Sequence, residues 1–274
     1  VPLGDLSPDR VRRWYKASEA SFGRAQTAKA YRVLSAACKV AVYDGVIGRN
    51  PCAVRGGSQE RSAERNILDV LQALRLADAI VPRLRAFVLL AAFGGLRRGE
   101  LLALRRDDFD LAAGSVRIER AAVFVKGKRL MKTTQSEAGQ RTVALPAVVV
   151  EGVAHHLEHY AEPGITGLMF VGEKGGPLSP STLNKEFRKA RSAADLTITI
   201  HELRHTAGTM AAQYGSTLKE IMARLGQSSP QAAMRYQHAA EDRDRELVNR
   251  IDAVVEQSRR PLAAVENLPS DRVA

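Results

Sequence analysis

Cysteine is scarce: Cys38 and Cys52 are the only two in 274 residues, and they have no CxxC spacing. That excludes a disulfide framework and fits a reduced, cytoplasmic chain with both thiols as ordinary packed residues. Aromatic residues make up only 5%, with a single tryptophan, so any core is mainly aliphatic. No apolar run approaches the roughly 18 residues that suggest a membrane span, and no membrane partner is expected. An initiating methionine is missing too. Val1-Pro2-Leu3-Gly4-Asp5 resembles neither a signal peptide nor a natural start, and the chain reads as cut from something longer. Acidic residues fall short of basic ones, 30 Asp plus Glu against 41 Lys plus Arg, which leaves a net charge of +11. Such an excess points to a polyanionic partner, most simply nucleic acid, because phosphate neutralisation dominates that kind of binding. What remains is ordinary: 45% hydrophobic and 26% charged residues exclude a disordered chain, and the length has room for two domains.

Helical periodicity dominates. Ser7-Pro8 is a start signal for a first helix carrying Val11, Trp14 and Tyr15. A second is predicted from about Thr27 to Tyr43, with Tyr31, Leu34, Cys38 and Ala41 on one face. Asp44-Gly45 and Gly48-Arg49-Asn50-Pro51 end it, and the polar run over about 55–65 reads as a linker. Further helices are predicted at about 67–80, 82–93 and 98–104, interrupted at Gly94-Gly95. Over about 115–145 the period changes to that of short strands, with Lys126-Gly127-Lys128 as a turn. Ser179-Pro180 opens a helix to about Ala193, and His201 to Gln213 forms another. Thr217-Leu218-Lys219-Glu220 is a capping box, Ser229-Pro230 begins a helix carrying Tyr236, and a last helix spans about Asp242 to Ser258.

The richest segment is His201-Glu202-Leu203-Arg204-His205. On a helix, positions 201, 204 and 205 share a face, so two imidazoles and a guanidinium project together. The pentapeptide matches the zinc-protease pattern H-E-x-x-H letter for letter, and Gly208 extends it toward the longer metzincin form. Against that reading, the next expected ligand falls at Ala211, and a cationic Arg204 between the histidines repels zinc. The other pattern present is H-x-x-R.

Four further segments go with H-x-x-R. They are Gly94-Gly95-Leu96-Arg97-Arg98-Gly99-Glu100-Leu101; Met131-Lys132-Thr133 with Arg141-Thr142-Val143-Ala144-Leu145-Pro146; Leu225-Gly226-Gln227-Ser228-Ser229; and Met234-Arg235-Tyr236-Gln237-His238. In order and spacing they resemble the boxes of the tyrosine recombinase, or phage integrase, family. The resemblance implies a mainly α fold with a small antiparallel β-sheet. A truncated helical core-binding domain at 1–54 would lead through the 55–65 linker to a catalytic domain at 66–258, with a mobile tail at 259–274. It implies Tyr236 as nucleophile, Arg97 and Arg204 around the phosphate, His201 either donating to a non-bridging oxygen or helping to move the tyrosine proton, Lys132 on a hairpin, and Glu100 as the buttress of Arg97. The family usually has histidine where this chain has Gln227, which can donate a hydrogen bond but transfers no proton. The partner implied is double-stranded DNA, bound by a homo-tetramer on two sites, with accessory DNA-bending factors as further partners; no cofactor and no metal are expected.

Elementary chemistry supports these roles. Attack on a phosphodiester builds negative charge on its non-bridging oxygens, which two bidentate arginines can meet without a metal. A free tyrosine ionises near pH 10, so full ionisation at pH 7 costs about 4 kcal/mol that nearby cations must partly offset. The departing 5′ oxygen needs a proton, and a hairpin lysine can donate it. Lys126, Lys128 and Arg141 are expected to touch the DNA backbone, with Lys128 the rival of Lys132 as acid. His205 is expected to pack or hydrogen-bond near the site, and Tyr214 to be a cap or core residue. Arg98, Arg105 and Arg106 read as solvated or phosphate-touching, and His155, His156 and His159 as part of a surface helix instead of a metal site. A second functional class stays open beside the enzyme: a DNA-binding remnant of such a recombinase that no longer cuts.

Overall fold

The computed structural model describes residues 2–59, 66–125, 127–133, 139–234 and 236. It divides into two compact units, 1–65 and 66–274. In the first, α1 (Pro8–Phe22) starts where Ser7 accepts a hydrogen bond from the Arg10 backbone, 3.2 Å away. Gly23, at φ 76°, closes α1 and at once opens α2 (Arg24–Tyr43), so the second helix begins a turn earlier than its apolar face suggests. Val11, Tyr15 and Tyr31 form the core between them, the two rings meeting edge to face at 5.4 Å. The Tyr31 hydroxyl accepts from the Val54 backbone at 2.9 Å, and the Asn50 side chain pins the turn through Ser35 and Cys52.

The second unit opens with α3 (Val70–Ala79), capped by Asp69 and Gln72, and α4 (Pro82–Ala92). Nearly every residue of α4 from Leu84 to Ala92 is buried, because the helix runs through the centre of the unit against α3, α6 (Ala147–His159) and α8 (Ile200–Gln213). A short α5 (Arg98–Leu101) follows the Gly94-Gly95 turn. Strands β1 (Phe109–Asp110), β2 (Ser115–Ile118) and β5 (Arg141–Ala144) make one antiparallel sheet in the order β1-β2-β5. Strands β3 (Arg120–Val125) and β4 (Lys128–Thr133) make a separate hairpin, so the single sheet expected over about 115–145 is two. The physical reason is that β2 already has a partner on each edge, leaving β3 to pair only with β4. The remaining elements are α7 (Pro180–Ala193), α9 (Leu218–Leu225) and α10 (Pro230–Met234). Tyr236 therefore lies just beyond α10, its backbone nitrogen donating to Ala233 at 3.0 Å, not within that helix.

Helix α6 also differs from the surface helix expected. His156 is only 2% exposed, and its Nε2 lies 2.6 Å from the Met169 carbonyl oxygen inside the core, while His155 and His159 remain on the outer side. Tyr214 caps α8 but is largely exposed, so it is no core residue. Lys126, the helix expected at about 242–258 and the tail lie outside the described residues, as do positions 60–65 of the linker. No helix among the described residues is long and apolar enough to cross a membrane.

Candidate active site

Helix α8 is fixed at its start by a capping box. The Thr199 hydroxyl accepts from the Glu202 backbone, and the Glu202 carboxylate accepts from the Thr199 backbone at 2.7 Å. The glutamate that a zinc peptidase would use as its base is thus occupied as a helix cap. Among the described residues no group of three or more histidine, cysteine or acidic side chains gathers to hold a metal.

One turn on, Arg204 points inward and is 3% exposed. It donates to the Gly95 carbonyl at 2.6 Å and to the Leu225 carbonyl, joining the glycine turn before α5 to the end of α9. Gly95 makes that approach possible: at φ +70° an added Cβ would stand 2.6 Å from Leu225. Arg97 completes the bracket from the other side. Its guanidinium donates to the Gly226 carbonyl at 2.7 Å and pairs with Glu100 at 2.8 Å, and its backbone nitrogen donates to the same carboxylate. Gly226 itself is left-handed, turning the chain so that Gln227 follows directly beside these carbonyls. The Gln227 side-chain oxygen is buried, with no hydrogen-bond partner among the described residues.

Arg141, expected on the DNA, lies with its side chain turned inward. Its side chain is 6% exposed and pairs with Glu100 at 2.9 Å, while its Nε donates to the Arg224 carbonyl at 2.8 Å. An arginine on the inward face of β5 beside a buried carboxylate is held there by the cost of leaving that carboxylate uncompensated. Glu100 thus serves two arginines. Burial works to raise its pKa, but Arg141 and Arg97 outweigh burial and hold the carboxyl below the usual carboxylate range. For Arg204, burial and the nearby Arg97 push the guanidinium down to about 10, against a pull from Glu100. It remains charged at neutral pH. Three guanidiniums around one carboxylate leave two positive charges in a partly dry pocket, a setting that favours an anion.

Beside this bracket stands Tyr236, 3% exposed, with its hydroxyl 2.7 Å from His205 Nδ1. An ionised Tyr236 would help hold the proton on Arg204. His201, one turn earlier on α8, is exposed, its ring meeting that of His205 edge to face at 4.8 Å. The structure therefore brings together Arg97, Glu100, Arg204, Gln227, His205 and Tyr236, with Arg141 as an added member. It does not join the two hairpin lysines to them by hydrogen bonds among the described residues. Lys132 pairs across from Ala121 and Lys128 from Val125, both exposed and on the face opposite Arg129, which tethers the hairpin to the Leu102 carbonyl at 2.8 Å. The hairpin still starts next to the site: Gly99 of α5 lies so close to β3 that a Cβ would stand 2.8 Å from the Ala122 carbonyl oxygen. Of the other arginines, Arg98 is exposed, while Arg106 reaches back to the Leu157 carbonyl at 2.5 Å.

The pairing of Arg141 with Glu100 was not legible in the sequence, because only the fold sets the two within reach. The one available signal was the inward phase of an alternating strand, with Val143 buried two residues on.

Comparison with known proteins gives a consistent result. A family model described as the phage integrase family matches residues 62–243. The phiRv2 prophage integrase of Mycobacterium tuberculosis is 38% identical over 258 residues, spanning 93% of this chain and 68% of that protein. The integrase of Mycobacterium phage D29 is 31% identical over 263 residues, spanning 92% and 68%. Among solved structures, the Tn1549 transposon integrase in complex with a circular intermediate DNA is similar with a TM-score of 0.79 at 19% identity, over 91% of this chain and 87% of that one. A lambda integrase dimer bound to a core site is similar with a TM-score of 0.62 at 22% identity, over 86% and 66%.

Proposed function

The chain belongs to the phage integrase family of tyrosine recombinases, and on that premise we propose that it cuts and rejoins duplex DNA at specific sites through a 3′-phosphotyrosine on Tyr236. The observation that carries this reading is the arginine bracket, with two net positive charges and a tyrosine hydroxyl beside it. Arg97 and Arg204 bind the non-bridging oxygens of the scissile phosphate and stabilise the charge that grows there. Glu100 fixes Arg97 and, with Arg141, keeps the bracket rigid before DNA arrives. His201 donates to a phosphate oxygen, and Gln227 offers its amide to another. Lys132, carried to the DNA by the hairpin, protonates the departing 5′ oxygen, with Lys126 and Lys128 on the backbone nearby. No metal or cofactor takes part, because the phosphotyrosine ester itself conserves the bond energy for rejoining. The working form is a homo-tetramer on two DNA sites, with DNA-bending accessory proteins as further partners.

Gln227 supports a second reading, a recombinase relative that occupies its sites without cutting, since one charge-assisted contact is missing from the set. A single experiment separates the two. On a nicked, trapping duplex, wild type forms a covalent adduct that survives a denaturing gel, Tyr236→Phe forms none, and Tyr214→Phe behaves as wild type. Gln227→His raises the single-turnover rate by roughly tenfold to a hundredfold, the worth of one charged hydrogen bond. An adduct from Tyr236→Phe overturns the nucleophile. Cleavage seen only in Gln227→His makes the natural sequence the remnant.

A further inference from the structure

With Tyr236 as nucleophile, two questions remain: what holds its ring, and where its proton goes. Helix α8 answers both, through residues one turn apart. His205, itself 5% exposed, sets Nδ1 2.7 Å from the buried Tyr236 hydroxyl, with the rings tilted by 41° and centroids 5.8 Å apart. Gly208 lies under the same ring: an added Cβ would stand 2.8 Å from Cε1 and Cζ and 3.0 Å from Cδ1. A glycine in the interior of a helix is conformationally unfavourable, and here its lack of a side chain is what lets the ring lie flat against α8.

We propose that His205 and Gly208 form a seat for the nucleophile, in which Gly208 is the floor and His205 is the base that takes the Tyr236 proton; this rests on the reading of Tyr236 given above. The His201 ring meets that of His205 edge to face at 4.8 Å without an observed contact to the hydroxyl, and the charged groups acting on neighbouring Arg204 include Arg97 and Glu100 at the start of α5 and Arg141 on β5. Guanidiniums cannot accept a proton, and the Glu100 carboxylate is already bound by two of them. The imidazole that touches the hydroxyl is the group of suitable basicity. In the forward step the Tyr236 O–H bond breaks and the proton moves to Nδ1 of neutral His205. The freed oxygen forms its bond to phosphorus as the bond from phosphorus to the 5′ oxygen breaks, and that oxygen takes a proton from Lys132. Rejoining reverses each transfer, the His205 imidazolium returning its proton to the tyrosine oxygen.

The test is single-turnover adduct formation on the trapping duplex from acid to mildly alkaline pH, with DNA affinity and folding measured alongside. Gly208→Ala favours the helix yet displaces the ring, so it should bind DNA as wild type does and form adduct at least about tenfold more slowly. The wild-type rate should fall as the pH drops through the range where imidazoles take a proton. His205→Asn, whose amide oxygen reaches the place of Nδ1, should keep the fold, slow adduct formation about a hundredfold near neutrality and lose that acid limb. Wild-type rates in both variants overturn the seat while leaving Tyr236 as nucleophile, and a slowed His205→Asn that keeps the acid limb overturns the base. An adduct from Tyr236→Phe, or none from wild type, overturns the nucleophile and the seat together.

Discussion

Burial acts on single residues of this chain in opposite directions, according to what each one touches. Glu100 is as buried as His156, yet its two arginines keep it charged, whereas among the described residues the Met169 carbonyl is the only hydrogen-bond partner of His156. Burial pushes the His156 imidazole down to about 4 from its ordinary 6.5. Unfolded, the ring takes a proton as the pH falls through 6.5; folded, it does so only near 4. The unfolded chain therefore binds the extra proton between those values. The contribution of His156 to stability is full above pH 6.5 and declines as the pH falls toward 4, by up to roughly 3 kcal/mol. His156→Gln keeps a donor for the Met169 carbonyl and cannot titrate. Its urea midpoint should therefore fall less than that of wild type between about pH 7 and 4.5; parallel curves would show that His156 is already accessible to protons when folded.

Among the elements, the β3–β4 hairpin and helix α8 are built for different tasks. Helix α8 is capped at its start and buried along most of its length, so it holds Arg204 and His205 in fixed positions. The hairpin pairs only with itself and is tethered through Arg129, with Lys128, Leu130 and Lys132 exposed. On the other strand Ala122 is buried and Phe124 packs against the core, so the exposed lysines of β4 sit on a ribbon anchored along β3. If Lys132 protonates the leaving group, a substrate with sulfur at the bridging 5′ position should restore much of the cleavage rate of Lys132→Ala. It should do little for Arg97→Ala, because sulfur departs without a proton. Equal rescue of both variants, or rescue of Lys128→Ala instead, would move the acid elsewhere.

For the whole molecule, a net charge of +11 and a family of DNA recombinases lead to a strong dependence on salt. Affinity for duplex DNA should fall by at least about a hundredfold between roughly 50 and 200 mM salt, as released counterions require. A nearly flat response in a binding titration would argue against backbone phosphates as the main contact. Cleavage should also survive a strong chelator in a preparation with substoichiometric zinc. Stoichiometric zinc that disappears in His201→Ala would instead bring back the H-E-x-x-H reading.

Much of this protein was determined by sequence alone. The capping signals at Ser7-Pro8, Thr217 and Ser179 place their helices because the cap bonds are local, made within three residues of one another. The family boxes are legible for a related reason: they name functional groups in the chain whatever the positions of those groups in space. The tertiary structure alone decided which groups meet. Arg141 reaches Glu100 across 41 positions of sequence, Arg204 reaches Gly95 across 109, and His205 meets Tyr236 across 31. No periodicity encodes such distances. They follow from α4 filling the core, β2 being paired on both edges, and Gly95, Gly99 and Gly208 letting neighbouring elements approach to contact.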